Sequence, residues 1–133
     1  MTNSRDSHTD VLVVGAGPVG LMMAGELARH GIKPRIIDKS PAPSDKSKAF
    51  GIHARTMEIF DNLGIVERFL NEGNLCNALT LYNEGKKLAE IDFSHIESKY
   101  PFVLILAQSE TERLMTEHLR SFGIQVERET ELI

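Results

Sequence analysis

The chain mixes short unbroken apolar runs with amphipathic stretches, and the two patterns predict different elements. Val11-Leu12-Val13-Val14 is an uninterrupted apolar run, the kind that forms a strand buried on both faces of a parallel sheet. It leads straight into Gly15-Ala16-Gly17-Pro18-Val19-Gly20. Pro18 suits the first turn of a helix, where a missing N–H forfeits no hydrogen bond. Helix-favouring residues continue to Arg29, and Gly31 is the expected stop. Pro34-Arg-Ile-Ile-Asp38 then predicts a second short strand. Strand, helix and strand within about 30 residues form the unit that joins parallel neighbours.

Further along, Lys39 to Lys48 is rich in Ser, Pro and Lys and predicts a loop. From Arg55 the helical pattern returns, with Ile59, Leu63, Val66 and Leu70 as the inward face and Gly64 dividing it into two short helices. Leu79 and Leu81, then Ala89, Ile91 and Phe93, alternate with polar residues around Asn83-Glu84-Gly85, which predicts a hairpin. Phe102 to Leu106 is another apolar strand. Ser109-Glu110-Thr111-Glu112 has the spacing of a capping box, with Ser109 capping a helix whose inward stripe is Met115, Leu119 and Phe122. Gly123 stops that helix, and Ile124-Gln125-Val126-Glu127 starts one more strand. Glu131-Leu132-Ile133 follows with no stop signal, the pattern expected of a polypeptide cut short.

The fold class expected is α/β: a Rossmann-like parallel sheet with a strand–helix–strand dinucleotide-binding unit, plus a hairpin that begins a second, substrate domain. The expected organisation is a polar tail over residues 1–9 and one incomplete domain over 10–133, with the hairpin inserted at about 77–94. Composition narrows the function. With 41% hydrophobic and 26% charged residues the chain is an ordinary globular protein. A net charge of −4 without a basic stripe argues against nucleic acid as a partner. One cysteine, Cys76, rules out an internal disulfide and a cysteine-cluster metal site. The five histidines lack H-E-x-x-H spacing, so metal ligation is not expected. No run of about 18 apolar residues occurs, and the polar start is unlike a secretory signal, so the expected location is the cytoplasm.

The candidate chemistry lies in the glycine turn. Gly15, Gly17 and Gly20 stand at G-x-G-x-x-G spacing between a strand and a helix. Gly15 allows the tight bend, Gly17 lets a diphosphate approach bare backbone, and Gly20 lets the helix pack close to the strand. With Pro18 and Val19 they frame a helix N-terminus whose N–H groups and dipole favour phosphate. Asp38 lies 18 residues after Gly20 at the end of the second strand, near the spacing of an acid that binds ribose hydroxyls. A carboxylate there disfavours a 2′-phosphate. Its plainer role is a loop-start aspartate bonding its own backbone. Lys39 joins the candidates as a neighbouring charge, with a solvated lysine as the plainer role.

The turn alone does not separate FAD from NAD. Lys46-Ser47-Lys48-Ala49-Phe50-Gly51, followed by Arg55-Thr56-Met57-Glu58 and Leu63-Gly64, resembles the FAD-dependent aromatic hydroxylases of the para-hydroxybenzoate hydroxylase and phenol hydroxylase class. Leu104-Ile105-Leu106-Ala107-Gln108, running into Ser109 to Leu114, resembles a second stretch of that family. The resemblance implies that Lys48, where the family has arginine, meets the FAD pyrophosphate. It also implies that Arg55 faces the cofactor and that Gln108 bonds the flavin nucleotide. It implies an N-terminal FAD-binding segment of a monooxygenase that hydroxylates a small aromatic substrate with NAD(P)H and O2. The family's later Asp-Gly and Gly-Asp motifs do not occur here, so the 133 residues alone are expected to be inactive. They are also expected to expose apolar surface that favours self-association. Two other readings stay open, a stand-alone nucleotide-binding module and an NAD-dependent dehydrogenase domain.

Overall fold

A computed structural model describes residues 8–43 and 51–133. Among these the elements run β1 (Leu12–Val14), α1 (Pro18–Arg29), β2 (Arg35–Ile37), β3 (Gly51–Ile52), α2 (Ala54–Asn62), α3 (Val66–Glu72), β4 (Asn74–Cys76), β5 (Ala78–Asn83), β6 (Lys86–Asp92), β7 (Val103–Ile105), α4 (Gln108–Ser121) and β8 (Val126–Glu127). The chain divides into two compact units. One holds the described part of Met1–Asp45 together with Glu112–Ile133, and the other holds that of Lys46–Thr111.

The first unit carries a parallel sheet ordered β1-β2-β8, with Val13 level with Ile36 and Ile36 level with Val126. Helix α1 connects the two strands that pair first. It buries Leu21, Ala24 and Gly25, and its packing leaves Val13, Ile36 and Ile37 out of water. From the end of the chain, Leu114, Met115, Leu119 and Ile124 add to the apolar core. Gly25 of α1 comes close to His118 of α4, leaving a Cβ at position 25 only 3.6 Å from the imidazole Cδ2.

Two expectations need correction here. Val11–Val14 was expected to be buried on both faces, yet Leu12 is 39% and Val14 55% exposed while Val13 is buried. Helix α1 reaches the Val13 side, since a Cβ on Gly20 would lie 3.4 Å from Val13 Cγ1. Similarly, Met115 and Leu119 are buried but Phe122 is 41% exposed, because the helix ends at Ser121 and its last apolar residue lies past the inward stripe.

The second unit is antiparallel. Strand β7 is flanked by β3 and β4, with Leu104 opposite both Ile52 and Leu75. Met57, Phe60, Leu63, Val66 and Phe69 are buried on α2, the turn after it and α3, and Phe60 and Phe69 stack with ring centroids 4.1 Å apart. The inward face is therefore offset from the expected one. Ile59 and Leu70 are only half-buried, and the two phenylalanines take the deepest places because their rings stack across the bend. The expected hairpin is β5–β6, turning at Glu84 and Gly85 with φ of 49° and 78°, the two left-handed residues of a type I′ turn. Ser109 does not take the expected position ahead of the helix. Helix α4 begins at Gln108, and the carbonyl of Ala107 accepts from the N–H groups of Glu110 and Thr111 at 3.0 Å each. Ser109 therefore sits inside the first turn, not ahead of it.

Candidate dinucleotide site

Three glycines open α1, and each is glycine for a different physical reason. Gly15 has φ +98°, a conformation that side chains resist. Gly20 has ordinary torsions but no space, because a Cβ there would stand 1.9 Å from the carbonyl oxygen of Gly15. Gly17 has neither constraint. Its φ of −78° and ψ of −177° suit any residue, and a Cβ would meet no atom of the described chain within 4 Å. Gly17 is also the N-cap of α1, with no side chain capping the helix, Pro18 in first position and no acidic residue in the first turn. The bare, uncapped end of a helix is a place where an anion finds N–H donors and a favourable dipole.

Asp38 follows β2 directly, and the chain holds it from several sides. Its Oδ2 accepts from the N–H of Ala16 at 2.7 Å, across from the glycine turn. Its Oδ1 accepts from the N–H of Ser40 at 2.8 Å, the backbone contact of a loop-start aspartate. Its own N–H donates to the carbonyl of Glu127 at 2.9 Å, and its carbonyl accepts from Thr130 N–H at 3.1 Å. Arg128 brings a guanidinium nitrogen to 3.6 Å from Oδ2. Burial opposes the carboxylate's charge, but the amides of Ala16 and Ser40, the Ser40 hydroxyl and Arg128 together outweigh it, and the pKa lies below the ordinary aspartate value.

Beyond the strand ends lies a crevice of about 420 Å³ lined by Val14, Gly15, Asp38, Lys39, Ser40, Thr130, Glu131 and Leu132. It sits past the carboxyl ends of β1 and β2, where ligands of open α/β sheets bind. Gly15, Asp38 and Lys39 line it, and Gly17, Pro18, Val19 and Gly20 open the adjoining helix. Lys39 is directed to Glu131, with 3.8 Å between Nζ and Oε1, and remains mostly in solvent.

The other candidates belong to the second unit or lie elsewhere. Arg55 sits in the first turn of α2 and donates to Glu58 at 2.9 Å. Glu58 also accepts from the Ser98 hydroxyl at 2.8 Å. Gln108 opens α4. Lys48 lies outside the described residues. The sequence reading missed the far wall of the crevice, Thr130 to Leu132, and Arg128 beside Asp38. No local motif marks them, and they reach the site only because β8 pairs with β2. Among the described residues no cluster of His, Cys, Asp and Glu could hold a metal ion, and no helix is long and apolar enough to cross a membrane.

Known proteins resemble this chain in sequence and fold. Pentachlorophenol 4-monooxygenase of Sphingobium chlorophenolicum is 40% identical over 131 residues, 97% of this chain and 24% of that protein. Rifampicin monooxygenase of Streptomyces venezuelae is 36% identical over 124 residues, 93% of this chain and 25% of that protein. Among solved structures, OxyS anhydrotetracycline hydroxylase from Streptomyces rimosus matches with a TM-score of 0.79 at 36% identity, over 91% of this chain and 24% of that one. The p-nitrophenol 4-monooxygenase PnpA from Pseudomonas putida matches with a TM-score of 0.83 at 25% identity, over 90% of this chain and 31% of that one. The chain thus spans about a quarter of the length of the curated relatives it matches. A family model described as "FAD binding domain" covers residues 8–133, and with the glycine turn and its carboxylate both inside that match, the chain belongs to the FAD binding domain family.

Proposed function

We propose that this chain holds the adenosine-diphosphate half of FAD. The diphosphate would rest on the backbone of Gly15 to Gly20 at the start of α1, and the ribose hydroxyls would donate to Asp38. Gly17 carries the reading: among the described residues nothing makes a conformational or steric demand on it, so a ligand accounts for the space its missing side chain leaves. The parallel pair β1–β2 joined through α1 supports a Rossmann-like unit. The polar residues 1–9, the domain over 10–133 and the hairpin near 77–94 as the start of a substrate domain complete that organisation. Lys48, Arg55 and Gln108 are the further cofactor contacts in this reading, supported by the family resemblance, and Lys39 is a candidate only as a neighbouring charge at the crevice.

In this reading the whole protein is an aromatic-ring monooxygenase, and the family resemblance adds FAD, NAD(P)H and O2; the relatives' names support the reaction class. Hydride acceptance and oxygen activation are the flavin's own chemistry. The residues of this chain supply binding and orientation: helix-end amides for the phosphates and a fixed carboxylate for the sugar.

Titration of the chain with FAD and with NAD, followed by calorimetry, tests this. Gly17→Ala is expected to weaken FAD binding by more than about tenfold, or about 1.4 kcal/mol. Its stability should change by no more than about 1 kcal/mol, the scale of an N-cap substitution. Tighter binding of NAD than of FAD, or an unchanged FAD affinity in Gly17→Ala, would overturn the assignment.

A further inference from the structure

We propose that Arg128 is a positioning residue of the dinucleotide site: from the exit of β8 it fixes the Asp38 carboxylate and carries the counter-charge an acidic wall needs beside an anionic ligand. This rests on the reading that Asp38 binds the ribose. The two side chains are largely enclosed, at 20% and 16% exposure, with 3.6 Å between Arg128 Nη1 and Asp38 Oδ2. That separation is too long for a hydrogen bond and short enough for strong Coulomb attraction in a partly desolvated place. A carboxylate offers about four lone-pair sites. Three are engaged, by the N–H groups of Ala16 and Ser40 and by the Ser40 hydroxyl. Arg128 neutralises without consuming the one that remains, which a sugar hydroxyl would take.

The surroundings make that cation matter. The chain has a net charge of −4, and a dinucleotide brings a diphosphate. Among the described residues the charged groups near Asp38 include Glu127 on β8, Arg128 and Glu129 after it, Glu131 and Lys39 at the crevice, and Arg35 on β2. Arg35 is committed to Glu127 in a two-pronged pair at 2.9 and 2.7 Å, and Lys39 is directed at Glu131. The backbone is shaped to deliver Arg128 to its place. Glu129 takes a left-handed φ of 53°, and the bend sends Thr130 N–H to the Asp38 carbonyl and Glu129 N–H to that of Ser40. The depressed pKa of Asp38 agrees with the charge placed beside it.

The test is FAD affinity of the full chain from about pH 7 down to about pH 2, because the Asp38 carboxylate titrates below the ordinary value of about 4. Arg128→Gln is expected to bind about tenfold more weakly near neutrality. The acid limb of its affinity should move to higher pH, because Asp38 then protonates more readily. Arg128→Lys should keep the wild-type acid limb and recover most of the affinity. Arg35→Gln, which loosens the same strand through Glu127, should lower the melting temperature without moving the acid limb. An unchanged affinity and limb in Arg128→Gln would overturn the proposal, as would an equal displacement of the limb in Arg35→Gln. Should Arg128→Gln fail to fold, loss of affinity in a folded Arg128→Lys with its charge intact would overturn it. A wild-type chain that takes up no FAD defeats the underlying assignment, whereas a binding wild type with an indifferent Arg128→Gln defeats this inference alone.

Discussion

Strands β1 and β2 on one side, and β5 and β6 on the other, are both adjacent pairs, and they are specified in opposite ways. The first pair is three residues per strand, yet Val13, Ile36 and Ile37 are buried and α1 lies between the two strands in sequence. Its geometry is fixed by what packs on it. The second pair is twice as long, and among its residues only Thr80 is not exposed. Leu79 pairs with Ile91 and Leu81 with Ala89 on one face, so apolar contacts run across the strands without a core beneath. Its register depends on the turn at Glu84-Gly85 and on the irregularity between Leu81 and Tyr82. The lesson is that the first pair tolerates little change in shape, and the second tolerates much but gains little from any one residue.

The largest expected effect breaks the tight region. Gly20→Val drives a branched side chain into the Gly15 carbonyl, which a Cβ alone would meet at 1.9 Å. It should destabilise the chain by about 3 kcal/mol or more, the upper range for overpacking, and lower the midpoint in urea. A loss below about 1 kcal/mol would show that the turn can shift away from α1. A middling effect comes from acid. The pKa of Asp38 is depressed in the folded chain, so its contribution is present above the usual carboxylate value of about 4 and is lost as pH falls through the folded value. Melting temperature should therefore fall on the acid side in wild type and less steeply in Asp38→Asn. Parallel acid profiles for the two would remove Asp38 from the stability balance. The smallest effect belongs to the hairpin. Glu84 holds φ 49°, which asparagine adopts more readily than glutamate. Glu84→Asn should slow amide exchange in β5 and β6 by about two- to threefold, or about 0.5 kcal/mol, with the global melting point unmoved. Faster exchange would mean that the turn is held by something other than local preference.

How much of this could be read from the residues follows the same division. The glycine turn, α1 and Asp38 were legible because backbone conformation, close packing and a chemically distinctive side chain recur at fixed spacing. The hairpin was legible from Glu84-Gly85 between alternating strands. Strands β3 and β4 were not, since Gly51–Ile52 and Asn74–Cys76 have little apolar pattern and exist by pairing with β7. Helix α4 was found, but its start was misplaced because Ser109 fits a cap by residue type while the Ala107 carbonyl already receives the first turn's N–H groups. Arg128 and Thr130 were invisible for a related reason. Their place beside Asp38 follows from the pairing of β8 with β2 and from the left-handed Glu129, and neither is written in a local motif.

That late pairing has a consequence for how the chain is made. Residues 51 to 111 form one continuous stretch of the second unit, and they leave the ribosome between the halves of the first. Strands β1 and β2 can meet through α1 early, but Ile36 must wait for Val126 before the sheet gains its third member. Contacts so distant in sequence close slowly. The amide partners of the Asp38 carboxylate, Ala16 and Ser40, precede Arg128 by some ninety residues or more, so nascent chains arrested before Arg128 should hold FAD poorly.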